Sequence, residues 1–122
     1  MNIRILSFSA TLVLCFFSLS AMALDGTLLV ANRTGGSISF IDLTTGIEVA
    51  RLPIGPVIPH EVDVSPDGSL ALTSEYGPND RPGQHILLID IATASLLERI
   101  DLGPNSRPHT ALFLPDGRRA VA

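Results

Sequence analysis

From Leu24 onward, apolar and polar residues alternate with a period of two, the spacing of half-buried strands rather than of helices. Three short runs come first: Thr27–Ala31, Ser37–Ile41 and Glu48–Leu52. Gly35-Gly36 separates the first two and Thr44-Thr45-Gly46 the next two, so the pattern predicts antiparallel strands joined by hairpins. A second set follows at Ser69–Ser74, Ile86–Ile91 and Leu96–Asp101. Within it, Ile86-Leu87-Leu88-Ile89 is apolar at successive positions, which predicts a strand covered on both faces. Nine prolines and ten glycines fall almost wholly between the runs, where breakers belong. No window beyond Leu24 carries a helical stripe, and the fold class predicted is all-β.

The two sets are copies of one unit. Pro59-His60-Glu61-Val62-Asp63-Val64-Ser65-Pro66-Asp67-Gly68 returns as Pro108-His109-Thr110-Ala111-Leu112-Phe113-Leu114-Pro115-Asp116-Gly117, at an offset of 49 residues. Phe40-Ile41-Asp42-Leu43 returns as Leu88-Ile89-Asp90-Ile91 at an offset of 48. Repeats of this length build arrays in which no unit buries its apolar faces alone. The units differ in one place. Gly26 to Asp42 spans 16 positions, whereas Gly68 to Asp90 spans 22. The difference lies in the polar stretch Glu75–His85, which predicts a rim insertion with His85 as a solvated loop residue. Such loops carry function more often than strands do.

Strand, Ser65-Pro66-Asp67-Gly68 turn, strand to Ser74, strand to Asp90 and a last strand to Asp101 resemble the YVTN-type β-propeller repeat. Leu29-Val30-Ala31-Asn32 occupies the place of the tetrapeptide that names the family, and Ala71-Leu72-Thr73-Ser74 occupies it in the next unit. Ile41-Asp42-Leu43-Thr44-Thr45-Gly46 resembles the family hairpin, and Ile89–Ala94 is a weaker copy. The resemblance covers essentially all of residues 26–122. It implies a partial propeller of about two four-stranded blades from a seven-bladed ring. Residues 26–55 would be the outer strands of blade one, 60–103 blade two, and 109–122 the start of blade three. Propellers close with four to eight blades, so the expectation is the N-terminal piece of a longer protein. Its remaining blades would be needed for closure. Related propellers serve as lactonases, quinoprotein subunits, surface-layer modules and binding scaffolds.

Turn chemistry supports this independently. Asp67-Gly68 and Asp116-Gly117 each follow a proline. Proline presets φ, aspartate bonds its own downstream backbone, and glycine takes positive φ. Asp42 and Asp90 end strands just before turns, where a carboxylate accepts from turn amides. All six are read as structural.

The first 23 residues resemble a secretory signal. Arg4 precedes the apolar stretch Ile5–Leu19, and Ala21-Met22-Ala23 is a cleavage sequence, with the cut after Ala23. The apolar run is shorter than the roughly 20 residues of a spanning helix. A periplasmic or secreted protein is expected, with no membrane association after cleavage. The single cysteine, Cys15, lies in this segment, so residues 24–122 contain no thiol nucleophile, disulfide or cysteine-based metal site. All eight basic residues are arginines. Leaving out Arg4, seven face twelve acidic side chains, a balance of −5. No basic stripe is present, which argues against a nucleic-acid partner.

His60 and His109 occupy equivalent places, each after a proline at the entrance to an innermost strand. Equivalent inner positions of a ring converge on its channel. The two imidazoles and Glu61 are therefore the candidate ligand-lining residues; alternation puts Glu61 and Asp63 on the face opposite His60, although the strand edge still allows Glu61 to be presented to the channel mouth. The bland reading is that each histidine only bonds a neighbouring blade. No metal or cofactor is predicted; an ion in the channel is compatible with imidazole chemistry but nothing in the spacing demands it. No G-x-S-x-G, H-E-x-x-H, phosphate loop or dinucleotide fingerprint occurs. The function expected is an exported binding or scaffold protein that presents channel and rim to a small molecule or partner protein. The alternatives are a lactonase-like hydrolase or quinoprotein-type oxidoreductase subunit, and a truncated, non-functional product. Open blade faces and strand edges promote association. Residues 24–122 expressed alone are expected to self-associate in sedimentation velocity; a sharp cooperative melt of a monomer at low concentration would refute this.

Overall fold

A computed structural model describes residues 24–122. The signal segment, its cleavage position and Cys15 lie outside the described residues. Within them the chain is all-β, in antiparallel sheets of three, four and two strands. β1 (Thr27–Asn32), β2 (Ser37–Asp42) and β3 (Ile47–Pro53) form the first sheet in that order. β4 (Pro59–Val64), β5 (Leu70–Glu75), β6 (His85–Asp90) and β7 (Ser95–Asp101) form the second. β8 (Leu112–Phe113) pairs only with β9 (Ala120–Val121). Successive meandering sheets packed face to face are the arrangement of consecutive propeller blades.

What holds the sheets together is apolar packing between blades. Ile38 and Phe40 of β2 and Ile54 after β3 meet Ala71 of β5 and Leu87 and Ile89 of β6, all buried. On the far face of the second sheet, Leu72 and Ile86 pack on Ala111 of the segment leading to β8. This explains the continuous run Ile86–Ile89: alternate side chains serve two different neighbours. Truncating a buried phenylalanine or isoleucine typically costs about 2–5 kcal/mol, against roughly 1 kcal/mol for a turn hydrogen bond. Burial between blades therefore dominates. An apolar groove of about 410 Å³, lined by Leu72, Ile86, Ile100, Leu102 and Ala120–Ala122 among others, remains on that far face.

Hairpin turns are fastened by the aspartates. Asp42 accepts from the Thr45 amide (2.7 Å), and Asp90 accepts from the Thr93 amide (2.8 Å). Asp116 accepts from the amides of Arg118 and Arg119. Asp67 accepts from the Ser65 hydroxyl (2.6 Å) and from the amide and hydroxyl of Ser69. Gly68 (φ 75°) and Gly117 (φ 65°) supply the left-handed step after their aspartates. The weaker copy of the hairpin has a visible cost: Ala94 sits at φ 50° where the first copy has Gly46.

Three expectations change. Glu75 is not in a solvated insertion; it ends β5 with its side chain buried. His85 is not a loop residue either. It opens β6, and its Nδ1 lies 2.9 Å from Glu75 Oε2. Arg99 Nη1 of β7 lies 2.6 Å from Glu75 Oε1 while Nη2 donates to the Ile54 carbonyl (3.2 Å), so one guanidinium links the buried carboxylate to the first sheet. A carboxylate survives burial only with such partners. Third, His109 does not open a strand. It stands three residues before β8, because Pro108 has no amide to donate and β8 has only a two-residue partner.

Ser65 and Ser69 hold the Asp67 carboxyl down to about 2, from an ordinary 3.8, chiefly through the Ser65 hydroxyl. A carboxyl depressed by folding stabilises above its unfolded value, and that contribution disappears as pH falls through the folded one. The melting temperature should therefore fall between about pH 4 and pH 2, and Asp67→Asn should flatten that part of the profile. An unchanged profile in Asp67→Asn, followed by circular dichroism, would show that the turn carboxylate does not contribute.

Candidate functional site

One end of the second sheet collects the candidate residues. β4 and β5 are out of step there: Pro59 pairs with Glu75 and Val62 with Thr73, so His60 and Glu61 together oppose Ser74. This is a β-bulge, which breaks the alternation and redirects a side chain. It overturns the expectation that Glu61 lies across the strand from His60. Glu61 Oε1 is 3.4 Å from His109 Nδ1, and one ligand atom from each of His60, Glu61 and His109 lies within 4.8 Å of the others. The imidazoles of His60 and His109 are 3.9 Å apart between centroids and tilted by 45°.

Hydrogen bonds between segments hold this arrangement. The Thr73 hydroxyl donates to the Glu61 carbonyl (2.7 Å), and the Ser74 hydroxyl donates to the His109 carbonyl (2.8 Å). Both hydroxyls are fully buried. Asp63 accepts from the Phe113 amide (2.7 Å) and so ties β8 to β4. Asp63 is thus a fastener between blades, whereas its former pair-mate Glu61 faces the histidines.

The insertion supplies residues that the sequence pattern alone did not single out. Its chain folds back on β5: Tyr76 donates its amide to the Ile58 carbonyl, and Gly83 donates to Tyr76. A Cβ on Gly83 would collide with the Glu75 backbone, so only glycine permits the approach. The Tyr76 ring lands 5.0 Å from His60 and 5.6 Å from His109, edge-on to the latter. Arg107 lies over the Tyr76 ring, 4.4 Å from its centroid, a cation–π contact. The Arg107 amide donates to Gly83 (2.7 Å) with φ at 60°, a left-handed conformation that costs a non-glycine residue energy and collects at functional sites. A partial signal was present: Tyr76 is the only tyrosine and lies in the one segment that distinguishes the two units.

Electrostatics favour neutral imidazole at the centre. Burial lowers the His60 pKa from 6.5, with the charges of His109 and Arg33 adding to the effect and Glu61 opposing it. His60 Nδ1 is buried and makes no hydrogen bond. Separately, Arg33–Gly36 and Gly55–Ile58 line a pocket of about 170 Å³ that none of the cluster residues lines. The arrangement offers two imidazoles, a carboxylate, an aromatic wall and two guanidinium groups to one small region.

No protein-family model matches the chain, and no curated protein matches it. Solved structures do. Hydrazine synthase of Kuenenia stuttgartiensis superposes with a TM-score of 0.66 and 24% identity, over 77% of this chain and 24% of that one. Dihydro-heme d1 dehydrogenase NirN in complex with DHE superposes with a TM-score of 0.59 and 25% identity, over 73% of this chain and 18% of that one. Both contain β-propellers, which supports the propeller fold. The chain spans about a quarter or less of the length of either.

Because burial and the His109 charge both hold His60 down, His60 should titrate below an ordinary histidine by NMR, and His109→Ala should move its midpoint upward. A midpoint at or above 6.5 in the unsubstituted protein would contradict this electrostatic picture.

Proposed function

We propose that this chain is the N-terminal part of an exported, YVTN-type β-propeller that binds a small molecule or a partner protein at the rim site around His60, Glu61 and His109. The observation that carries the reading is convergence. Residues 60, 61, 76, 107 and 109 come from three separate segments and meet at one end of the sheets. Packing does not require it, since the blade core lies elsewhere. A function on so versatile a fold has to be read from its site, and this site presents aromatic and imidazole surfaces beside the half-buried Arg107. Export follows from the signal-like residues 1–23. The acidic balance argues against a nucleic-acid partner.

A second reading, an oxidoreductase subunit, is favoured by one finding, the 25% identity to a dehydrogenase solved with a bound ligand. Lactonase-like hydrolysis has the imidazoles and a carboxylate in its favour, but no nucleophile stands among them.

A metabolite panel titrated calorimetrically against the full-length protein is expected to give a saturable binding response for at least one compound class, without turnover. The His60→Ala/His109→Ala variant should lose that response while keeping its circular dichroism spectrum. Turnover of a lactone or of an electron acceptor, abolished in the same variant, would replace binding with catalysis. A panel response unaffected by the double variant would remove the site.

A further inference from the structure

We propose that His60, Glu61 and His109 bind one divalent first-row transition-metal ion. The inference rests on the rim-site reading above and names its ligand class. Three observations carry it. The donor set is two imidazoles and one carboxylate, a borderline nitrogen/oxygen combination that suits zinc, copper, nickel, cobalt or iron rather than calcium or magnesium. One donor atom from each residue already lies within 4.8 Å of the other two. Zinc–nitrogen and zinc–oxygen bonds of about 2.0–2.2 Å place tetrahedral donors about 3.3 Å apart, so small side-chain rotations bring the three atoms onto one ion. Finally, His60 Nδ1 is buried without any hydrogen-bond partner, and a buried polar atom left unpaired calls for an explanation such as an ion.

The backbone around the donors is already fixed, as a metal site requires. The bulge at residues 60–61 turns Glu61 toward the histidines. Buried Thr73 and Ser74 hold the carbonyls of Glu61 and His109. Metal affinity depends on such supporting contacts by about 10–100-fold. The third histidine is excluded from the site, because its Nδ1 is held by buried Glu75. Three protein donors leave a fourth tetrahedral position open to water or to an exogenous ligand.

The test uses the full-length protein after dialysis against chelator. Titration calorimetry with ZnCl₂ is expected to show one equivalent bound, with proton release because the ligands bind deprotonated. CoCl₂ should give visible absorption bands of a low-coordinate nitrogen/oxygen site. His60→Ala/His109→Ala should weaken zinc binding by more than about 100-fold, beyond what loss of a supporting contact does. Glu61→Gln keeps the shape of the site and should weaken binding by at least about tenfold, so the proposal stays testable if the double variant does not fold. Absence of a saturable one-to-one zinc isotherm, or an isotherm unchanged in these variants, overturns the proposal. The two readings fail separately. A metabolite response that depends on the histidines, with no metal isotherm, sinks the metal inference alone; loss of both removes the site altogether.

Discussion

The structure depends on one constraint: a blade cannot cover its own faces. Leu87 and Ile89 point to one side of β6 and meet Ile38, Phe40 and Ile54, while Leu72 and Ile86 point to the other and meet Ala111. The middle sheet is therefore an interior layer, and its neighbours are as necessary to it as its own turns. At about 25 cal/mol per Å² of apolar surface removed from water, these contacts outweigh the exposed pairs Arg51–Glu48 and Arg119–Asp116, which solvent screens. Position along the array, rather than any single strand, sets what each residue faces.

That packing brings the two histidines together. Each unit enters on the same side, so β4 and the segment before β8 run next to one another, and side-chain hydrogen bonds fix their separation. Asp63 holds the Phe113 amide and Ser74 holds the His109 carbonyl. These bonds cross 50 and 35 residues of sequence, and both Asp63 and Ser74 lie on the middle sheet. Positions a full repeat apart thereby become neighbours. A repeat fold converts a chemically modest motif, Pro-His, into a pair of imidazoles without further sequence specification.

Much of the architecture was legible because it follows from local periodicity. The runs at 27–31, 37–41, 48–52, 69–74, 86–91 and 96–101 fall on strands to within a residue or so, and the pre-turn aspartates accept from amides inside their own turns. The site was less legible, for three physical reasons. A bulge adds one residue without changing composition, so strict alternation misplaces Glu61. The Glu75–His85–Arg99 clasp joins residues 10 and 24 positions apart, and a buried charge looks like a loop charge until its partners are in place. Arg107 reaches Tyr76 only through a left-handed backbone step that glycine or asparagine would have advertised.

The two polar clusters of the middle sheet invite opposite interpretations, and the difference is in their satisfaction. Around Glu75 both carboxylate oxygens have a cationic or imidazole partner, and Arg99 spends its second nitrogen on the first sheet. Such a cluster fixes geometry, with Oε2 beside the His85 ring nitrogen and Oε1 in an ion pair with Arg99. Around His60 the accounting stays open: a buried ring nitrogen has no partner, and Glu61 and His109 stand 3.4 Å apart with much of each side chain exposed. The insertion that distinguishes the second unit from the first passes both clusters. It starts at the closed one and delivers Tyr76 to the open one. Regular repeat positions build the frame, and the departure from regularity is spent where polar groups are left unpaired.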